Sequence, residues 1–233
     1  MCGVLGIAIK NFNSEDGELV RRLFIQSMIR GKHATGVSYV KDNKVITIKE
    51  PVSADKFIAS QDINSWVNED GNLYCIGHIR YSTSDLRYNQ PFATDQVGIV
   101  HNGVISQQPP ETWEQLYGYK TETANDSELI LRAIEVDHNP LEVFYPASMA
   151  VCVIYSDKSL SAFRNHERPL YYYSDERSTI FASTKDILFR SGIKDANKTR
   201  MFEMYYVNKF NFSHYPHESD EYLKEVFNIK DLQ

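Results

Sequence analysis

Residues 1–9, which read MCGVLGIAI, decide how the rest of the chain is interpreted. The apolar run at residues 3–9 predicts a short buried β-strand. Cys2 directly precedes it, so we expect this cysteine at the edge of a sheet, held by a rigid element. Removal of Met1 would leave a thiol and a free α-amine on one residue, which could then serve as both nucleophile and general base. The alternative at this position is an ordinary buried cysteine.

The composition is that of an ordinary globular protein. The chain has 233 residues, of which 42% are hydrophobic and 24% are charged, and its formal net charge is −6. This length favours one domain over residues 1–233, with a core at about 2–212 and a C-terminal extension at 213–233. The negative charge argues against nucleic acid or an anionic membrane as the main partner.

The cysteines point to a reducing compartment. Cys2, Cys75 and Cys152 are too few and too widely spaced for a disulfide framework or a zinc site. Cys75 and Cys152 lie in apolar, strand-like runs and are expected in the core. No targeting sequence and no apolar run of membrane-spanning length is recognised, so we expect a cytoplasmic protein without a membrane partner.

The remaining pattern mixes strands and helices without a regular βαβ alternation, which favours an α+β fold. Apolar residues at helical spacing predict a helix over residues 15–30, with Ser14 as its cap. A polar loop is expected at 107–124, and Asn125 with Glu128 has the spacing of a capping pair for the next helix.

Four separated motifs carry the candidate chemistry: MCGV at 1–4, GHIRYST at 77–83, HNG at 101–103 and NDSE at 125–128. In this order and at these spacings they resemble the glutaminase domain of class II glutamine amidotransferases, which are N-terminal nucleophile hydrolases. NQPF at 89–92 and the segment at 162–171 are weaker matches. The resemblance spans about residues 2–190, and it implies a four-layer αββα sandwich that needs no metal or organic cofactor.

The resemblance implies that Cys2, Asn102 and Gly103 are catalytic. Their chemistry suits cleavage of the side-chain amide of L-glutamine to glutamate and ammonia. The Cys2 thiolate would attack the amide carbon while its own amine moves the proton. The Asn102 side-chain amide and the Gly103 backbone N–H would then stabilise the negative charge on the amide oxygen, as an oxyanion hole does.

A second set of residues is implied in holding the α-groups of glutamine. Arg80 offers a planar fork for the carboxylate, and Asp126 offers a counter-charge for the ammonium group. Tyr81, Ser82 and Thr83 fall where the resembled family has a loop that closes over the substrate.

Each motif also has a structural interpretation when it is considered alone. The Asn102-Gly103 pair is typical of a type I′ hairpin turn. Arg80 could form a surface ion pair, and Asp126 could be an acid at a helix N-terminus. His78 and His101 are expected to be structural. The resembled family often has an acid where this chain has His33, an Asp at position 165 where Asn165 stands, and a Trp at position 81.

The expected activity is that of a glutaminase domain without a synthetase, because residues 191–233 are too few for such a domain. Ammonia would then pass to a separate partner enzyme. Two alternatives stay open, namely an amidohydrolase of another γ-glutamyl compound and a non-catalytic binding protein that retains the fold.

Overall fold

A computed structural model describes residues 1–82, 88–165 and 168–216. Thirteen β-strands occur in these ranges. In chain order they are β1 (Gly3–Ile9), β2 (Ala34–Lys41), β3 (Lys44–Glu50), β4 (Leu73–Arg80), β5 (Phe92–Ala93), β6 (Val97–Val104), β7 (Ser148–Tyr155), β8 (Ser159–Arg164), β9 (Tyr171–Ser174), β10 (Ser178–Ala182), β11 (Asn197–Lys198), β12 (Glu203–Asn208) and β13 (Asn211–Pro216).

The strands form two antiparallel sheets. The first has seven strands in the order β11-β9-β10-β1-β4-β2-β3, and the second has six in the order β13-β12-β8-β7-β6-β5. Six α-helices accompany these sheets in the described ranges. They are α1 (Ser14–Gln26), α2 (Ala54–Ser60), α3 (Trp113–Tyr117), α4 (Glu128–Glu135), α5 (Pro140–Val143) and α6 (Lys185–Arg190).

Three separate clusters of buried side chains show how the elements are layered. One cluster lies between the first sheet and helices α1, α2 and α6, and includes Leu5 and Phe24. A second lies between the two sheets and includes Val4 and Val100. A third lies between the second sheet and helices α4 and α5, and includes Ile99 and Leu129. Three apolar interfaces separate four layers, so the predicted αββα sandwich is confirmed.

Strand β1 lies inside its sheet rather than at the sheet margin. It pairs with β4 on one side and with β10 on the other, and all seven of its residues are buried. Cys2 therefore stands at the end of an interior strand. Four residues further along, an ideal Cβ built on Gly6 would lie 3.1 Å from the Cys152 Sγ, so the two sheets approach closely at this point.

Local hydrogen bonds correct two of the expected helix starts. Helix α1 is capped by Asn13, which exchanges side-chain and backbone hydrogen bonds with Asp16, and Ser14 is already helical. The expected pairing of Asn125 with Glu128 is wrong. The Glu128 carboxylate instead accepts the backbone N–H groups of Glu122 and Thr123.

The segment expected to be a polar loop at 107–124 contains helix α3. The indole of Trp113 is buried and donates its N–H to the Gln108 carbonyl at 2.8 Å. A single buried aromatic residue thus anchors a helix too short to show a periodic pattern. None of the helices in the described ranges has the length and apolar character that crossing a bilayer requires.

Candidate active site

The two sheets bring Cys2 and Asn102 together although one hundred positions separate them in the chain. The backbone N–H of Cys2 donates to the Asn102 Oδ1 at 3.1 Å. Asn102 belongs to β6 and Cys2 precedes β1, so the contact bridges the layer between the sheets. The Cys2 nitrogen is the amide of the Met1–Cys2 bond here. It occupies the place that a free α-amine would take after removal of Met1.

The other end of the Asn102 side chain is a buried donor. Its Nδ2 is shielded from solvent and has no hydrogen-bond partner among the described residues. A buried polar group without a partner is costly, so such a group points to a ligand that completes it. The Asn102 amide therefore has its oxygen committed to Cys2 and its nitrogen available to an acceptor.

Gly103 lies beside Asn102 within β6, and the hairpin-turn alternative for this pair is wrong. Both residues pair with β7, Asn102 with Ala150 and Gly103 with Met149. A Cβ at position 103 would collide with the Ser148 carbonyl oxygen and with the His101 ring. Only glycine fits so close an approach of the two backbones.

His101 supports this strand from the side of helix α4, and its role as a structural residue was predicted. Its Nδ1 lies 2.8 Å from the Ser127 Oγ, and its backbone N–H donates to the Gln90 Oε1. The Gln90 side chain returns two hydrogen bonds, to the His101 carbonyl and to the Ser127 hydroxyl. Burial lowers the pKa of His101, while Asp126 acts in the opposite direction. The NQPF motif at 89–92 did not predict the contacts of Gln90 with His101 and Ser127.

Arg80 ends strand β4 and is buried, with 8% of its surface exposed. Its Nη1 donates to the Tyr88 carbonyl at 2.9 Å and to the Asn89 Oδ1 at 2.8 Å. Both acceptors belong to the chain segment after β4, and together they hold the guanidinium in place.

Asp126 lies in the turn before helix α4 and not in the helix itself. Its Oδ2 accepts the backbone N–H of Ile105 at 2.6 Å and that of Ser106 at 3.1 Å. The carboxylate thereby ties the end of β6 to the start of α4. This contact, rather than a helix N-terminus, explains an acid at this position in structural terms.

Arg80 and Asp126 line the same cavity, whose volume is about 530 Å³. Ser106, Gln107 and Gln108 add polar groups to its wall, and Trp113 adds an aromatic ring. One wall thus carries a cation and an anion, which suits a ligand that bears both charges. Cys2 and Asn102 do not line this cavity. Val104, two residues beyond Asn102 on β6, does line it.

The three loop residues predicted to bind substrate have different outcomes. The Tyr81 carbonyl faces Cys2, with the Cys2 Sγ 3.9 Å from the Tyr81 oxygen, while Tyr81 as a whole is 52% exposed. Ser82 donates its backbone N–H to the His33 Nδ1. Thr83 lies outside the described residues.

Arg30 also contacts Cys2, and the sequence patterns predicted no role for it. Its Nε donates to the Cys2 carbonyl at 3.2 Å. Burial lowers the pKa of the Arg30 guanidinium, and Cys2 acts in the opposite direction. The Arg-Gly pair at 30–31 was the sequence feature that could have identified it.

Burial keeps Cys75, Cys152 and His78 in their neutral forms. Burial raises the pKa of the Cys75 and Cys152 thiols, and both side chains are fully buried. Burial, assisted by Arg80, lowers the pKa of His78 to about 3. Cys2 is the only one of the three cysteines that is not buried, since its side chain is partly exposed.

The chain is similar in sequence and in structure to known proteins. A family of proteins described as "Glutamine amidotransferase domain" matches residues 60–229. The matched stretch contains Arg80, Asn102, Gly103 and Asp126, and it begins after Cys2.

Among curated proteins, the glutamine–fructose-6-phosphate aminotransferase (isomerizing) of Bartonella henselae is 30% identical over 151 residues, covering 61% of this chain and 24% of that protein. Among solved structures, a glutamine phosphoribosylpyrophosphate amidotransferase from B. subtilis superposes with a TM-score of 0.70 at 18% identity, covering 92% of this chain and 49% of that one. A glutamine aminotransferase class-II domain protein from Silicibacter pomeroyi gives 0.54 at 10% identity, covering 93% and 99%. The chain thus spans about a quarter to a half of the first two relatives.

Proposed function

Because the chain belongs to the glutamine amidotransferase domain family, we propose that it hydrolyses the side-chain amide of L-glutamine through Cys2. The observation that carries the proposal is the divided role of the Asn102 amide. Its oxygen holds the Cys2 nitrogen, and its buried nitrogen has no partner among the described residues. A nucleophile and an oxyanion donor are thereby adjacent before any substrate binds.

Removal of Met1 is the first step that the proposal requires. The Met1 side chain is 63% exposed, so an aminopeptidase has access to it. The freed α-amine of Cys2 takes the thiol proton, and the thiolate forms a bond to the amide carbon of glutamine. Asn102 Oδ1 keeps the amine oriented towards the reacting atoms.

The tetrahedral intermediate places a negative charge on the former amide oxygen. The Asn102 Nδ2 and the Gly103 backbone N–H donate hydrogen bonds to it. When the carbon–nitrogen bond breaks, the Cys2 ammonium returns a proton to the leaving nitrogen and ammonia departs. Water then attacks the thioester, which releases glutamate and restores the thiol.

The charged wall of the cavity binds the other end of glutamine. The cation of Arg80 pairs with the α-carboxylate and the anion of Asp126 with the α-ammonium. We also propose that Tyr81, Ser82 and Thr83 bind the substrate. The backbone contacts of Arg80 and Asp126 fix both charges in advance, which lowers the entropic cost of binding.

The deciding experiment combines mass spectrometry with turnover. We expect the purified protein to lack Met1, to release ammonia from glutamine, and to be labelled on Cys2 by a diazo-ketone analogue of glutamine. The Cys2→Ala variant should lose labelling and lower hydrolysis at least about 10³-fold. The buried thiols of Cys75 and Cys152 serve as internal controls and should stay unlabelled. A processed protein that neither reacts nor releases ammonia would refute the proposal and favour a binding protein that retains the fold.

We further propose that the ammonia passes to a separate partner enzyme in the cytoplasm. Three unpaired cysteines support a reducing compartment. The curated relative is named an aminotransferase, and the match covers only 24% of its length. Ammonia release should then rise when the acceptor enzyme and its substrate are added.

One observation favours a second substrate class. The cavity of about 530 Å³ falls in the size range of sites that hold ligands larger than an amino acid. A panel of γ-glutamyl compounds assayed beside glutamine separates the two possibilities. Glutamine having the highest kcat/KM supports the amidotransferase proposal, and a larger γ-glutamyl amide having it supports the amidohydrolase.

A further inference from the structure

His33 makes three contacts with the segment beside the nucleophile, although the proposed chemistry gives it no role. Its backbone N–H donates to the Arg80 carbonyl at 3.0 Å. Its ring Nδ1 accepts the Ser82 backbone N–H at 2.8 Å. The ring also packs on that of Tyr81, with centroids 5.2 Å apart. Tyr81 is therefore held from both of its neighbours and through its own side chain.

The segment held by His33, residues 80–82, contacts the sulfur of Cys2. The Cys2 Sγ contacts the carbonyl oxygen of Tyr81, the residue between the two His33 hydrogen bonds. Gly31 packs directly against this segment, because a Cβ there would collide with the peptide that joins Arg80 to Tyr81. Gly31 and His33 together thus determine where the Tyr81 carbonyl lies relative to Cys2.

The direction of the Ser82 hydrogen bond defines the state of the imidazole. A backbone N–H always donates, so the His33 Nδ1 has to carry a lone pair. The ring is then neutral, with its proton on Nε2. An imidazolium has a proton on each nitrogen and cannot accept this bond.

We propose that neutral His33 is a positioning residue that fixes the Tyr81–Ser82 backbone for glutamine binding. The inference rests on the proposed function, since it concerns the same site. It also gives a reason for the difference at this position, where the resembled family often has an acid. A carboxylate oxygen and an imidazole nitrogen share one property, the ability to accept a backbone N–H.

Three variants test the role kinetically. In His33→Ala the acceptor is gone, and we expect the KM for glutamine to rise about three- to tenfold, the effect of one hydrogen bond. The kcat should change less than twofold, because Cys2 and Asn102 are untouched. His33→Asn places an amide oxygen near the lost nitrogen and should restore the KM to within twofold of the original. Lys32→Ala, at the exposed neighbouring position, is the matched control and should change neither constant.

A measurement without turnover separates this inference from the proposed function. The ¹⁵N spectrum of the His33 ring in the wild-type protein should show an acceptor-type Nδ1 and a protonated Nε2 at neutral pH. Absence of glutaminase activity with this tautomer present would defeat the proposed function while leaving the hydrogen bond established. The opposite tautomer, an unchanged KM in a folded His33→Ala, or a loss confined to kcat would overturn the inference. If His33→Ala fails to fold, the tautomer and the His33→Asn kinetics decide.

Discussion

The two ends of the candidate site are built in different ways. At the reacting end, Cys2 and Asn102 come from interior strands of separate sheets, and their contact follows from sheet register and sheet packing. At the recognition end, Arg80 and Asp126 lie where regular elements stop, and their side chains bond to the protein's own backbone at Tyr88 and Ile105. Substitutions at the first end should change the rate, and those at the second should change binding together with local structure.

The largest effect after removal of the nucleophile is expected for Asn102. Asn102→Ala removes the buried donor and should lower kcat about 10²–10³-fold with little change in KM. Asn102→Asp is the matched variant, because it keeps an oxygen for the Cys2 nitrogen and lacks the N–H₂ donor. Steady-state kinetics of both variants measure this. A loss below tenfold in each would mean that the reacting end does not depend on this amide.

Asp126 should show the mixed behaviour of the recognition end. Asp126→Asn retains an oxygen for the Ile105 and Ser106 N–H groups and loses the charge, so we expect KM to rise about ten- to a hundredfold at nearly constant stability. Asp126→Ala also leaves two backbone donors without their acceptor, and should lower the free energy of unfolding by about 1–3 kcal/mol as well. Kinetics and urea denaturation measure the two quantities. Equal stability of both variants would contradict the structural role.

The smallest effect concerns His78, which precedes Arg80 by two residues in β4. Its pKa is about 3 in the folded protein and 6.5 as the ordinary value, so between these limits the unfolded chain binds a proton that the folded chain excludes. Stability therefore falls as the pH falls, by up to about 1.4 kcal/mol per pH unit for one such group. The His78→Gln variant should lose about 1–2 kcal/mol less than the wild type between pH 6.5 and pH 5. Identical pH slopes in urea denaturation would contradict a lowered pKa of His78 in the folded protein.

The contrast between the two ends also marks the limit of what the sequence predicts. The apolar run at 3–9 identified β1, and the ordered motifs identified the family, because both depend on local residue types. The Asn102-Gly103 pair has the composition of a turn, and only its pairing with β7 makes it strand. Likewise, nothing local shows that His33 faces Ser82 or that Asn102 faces Cys2. Such contacts depend on long-range packing, which residue spacing does not encode.

The close approach of the sheets at Gly6 and Cys152 has a consequence for how this protein can vary. Gly6 lies four residues from Cys2, and Cys152 pairs with Val100, two residues before Asn102, so the spacing of the sheets there affects how Cys2 and Asn102 face each other. We therefore expect residue volume at positions 6 and 152 to influence the proposed reaction indirectly. Bulkier residues at these positions would push the sheets apart and lengthen the distance between Cys2 and Asn102. Changes in core volume and changes in turnover are therefore expected to be linked in this protein.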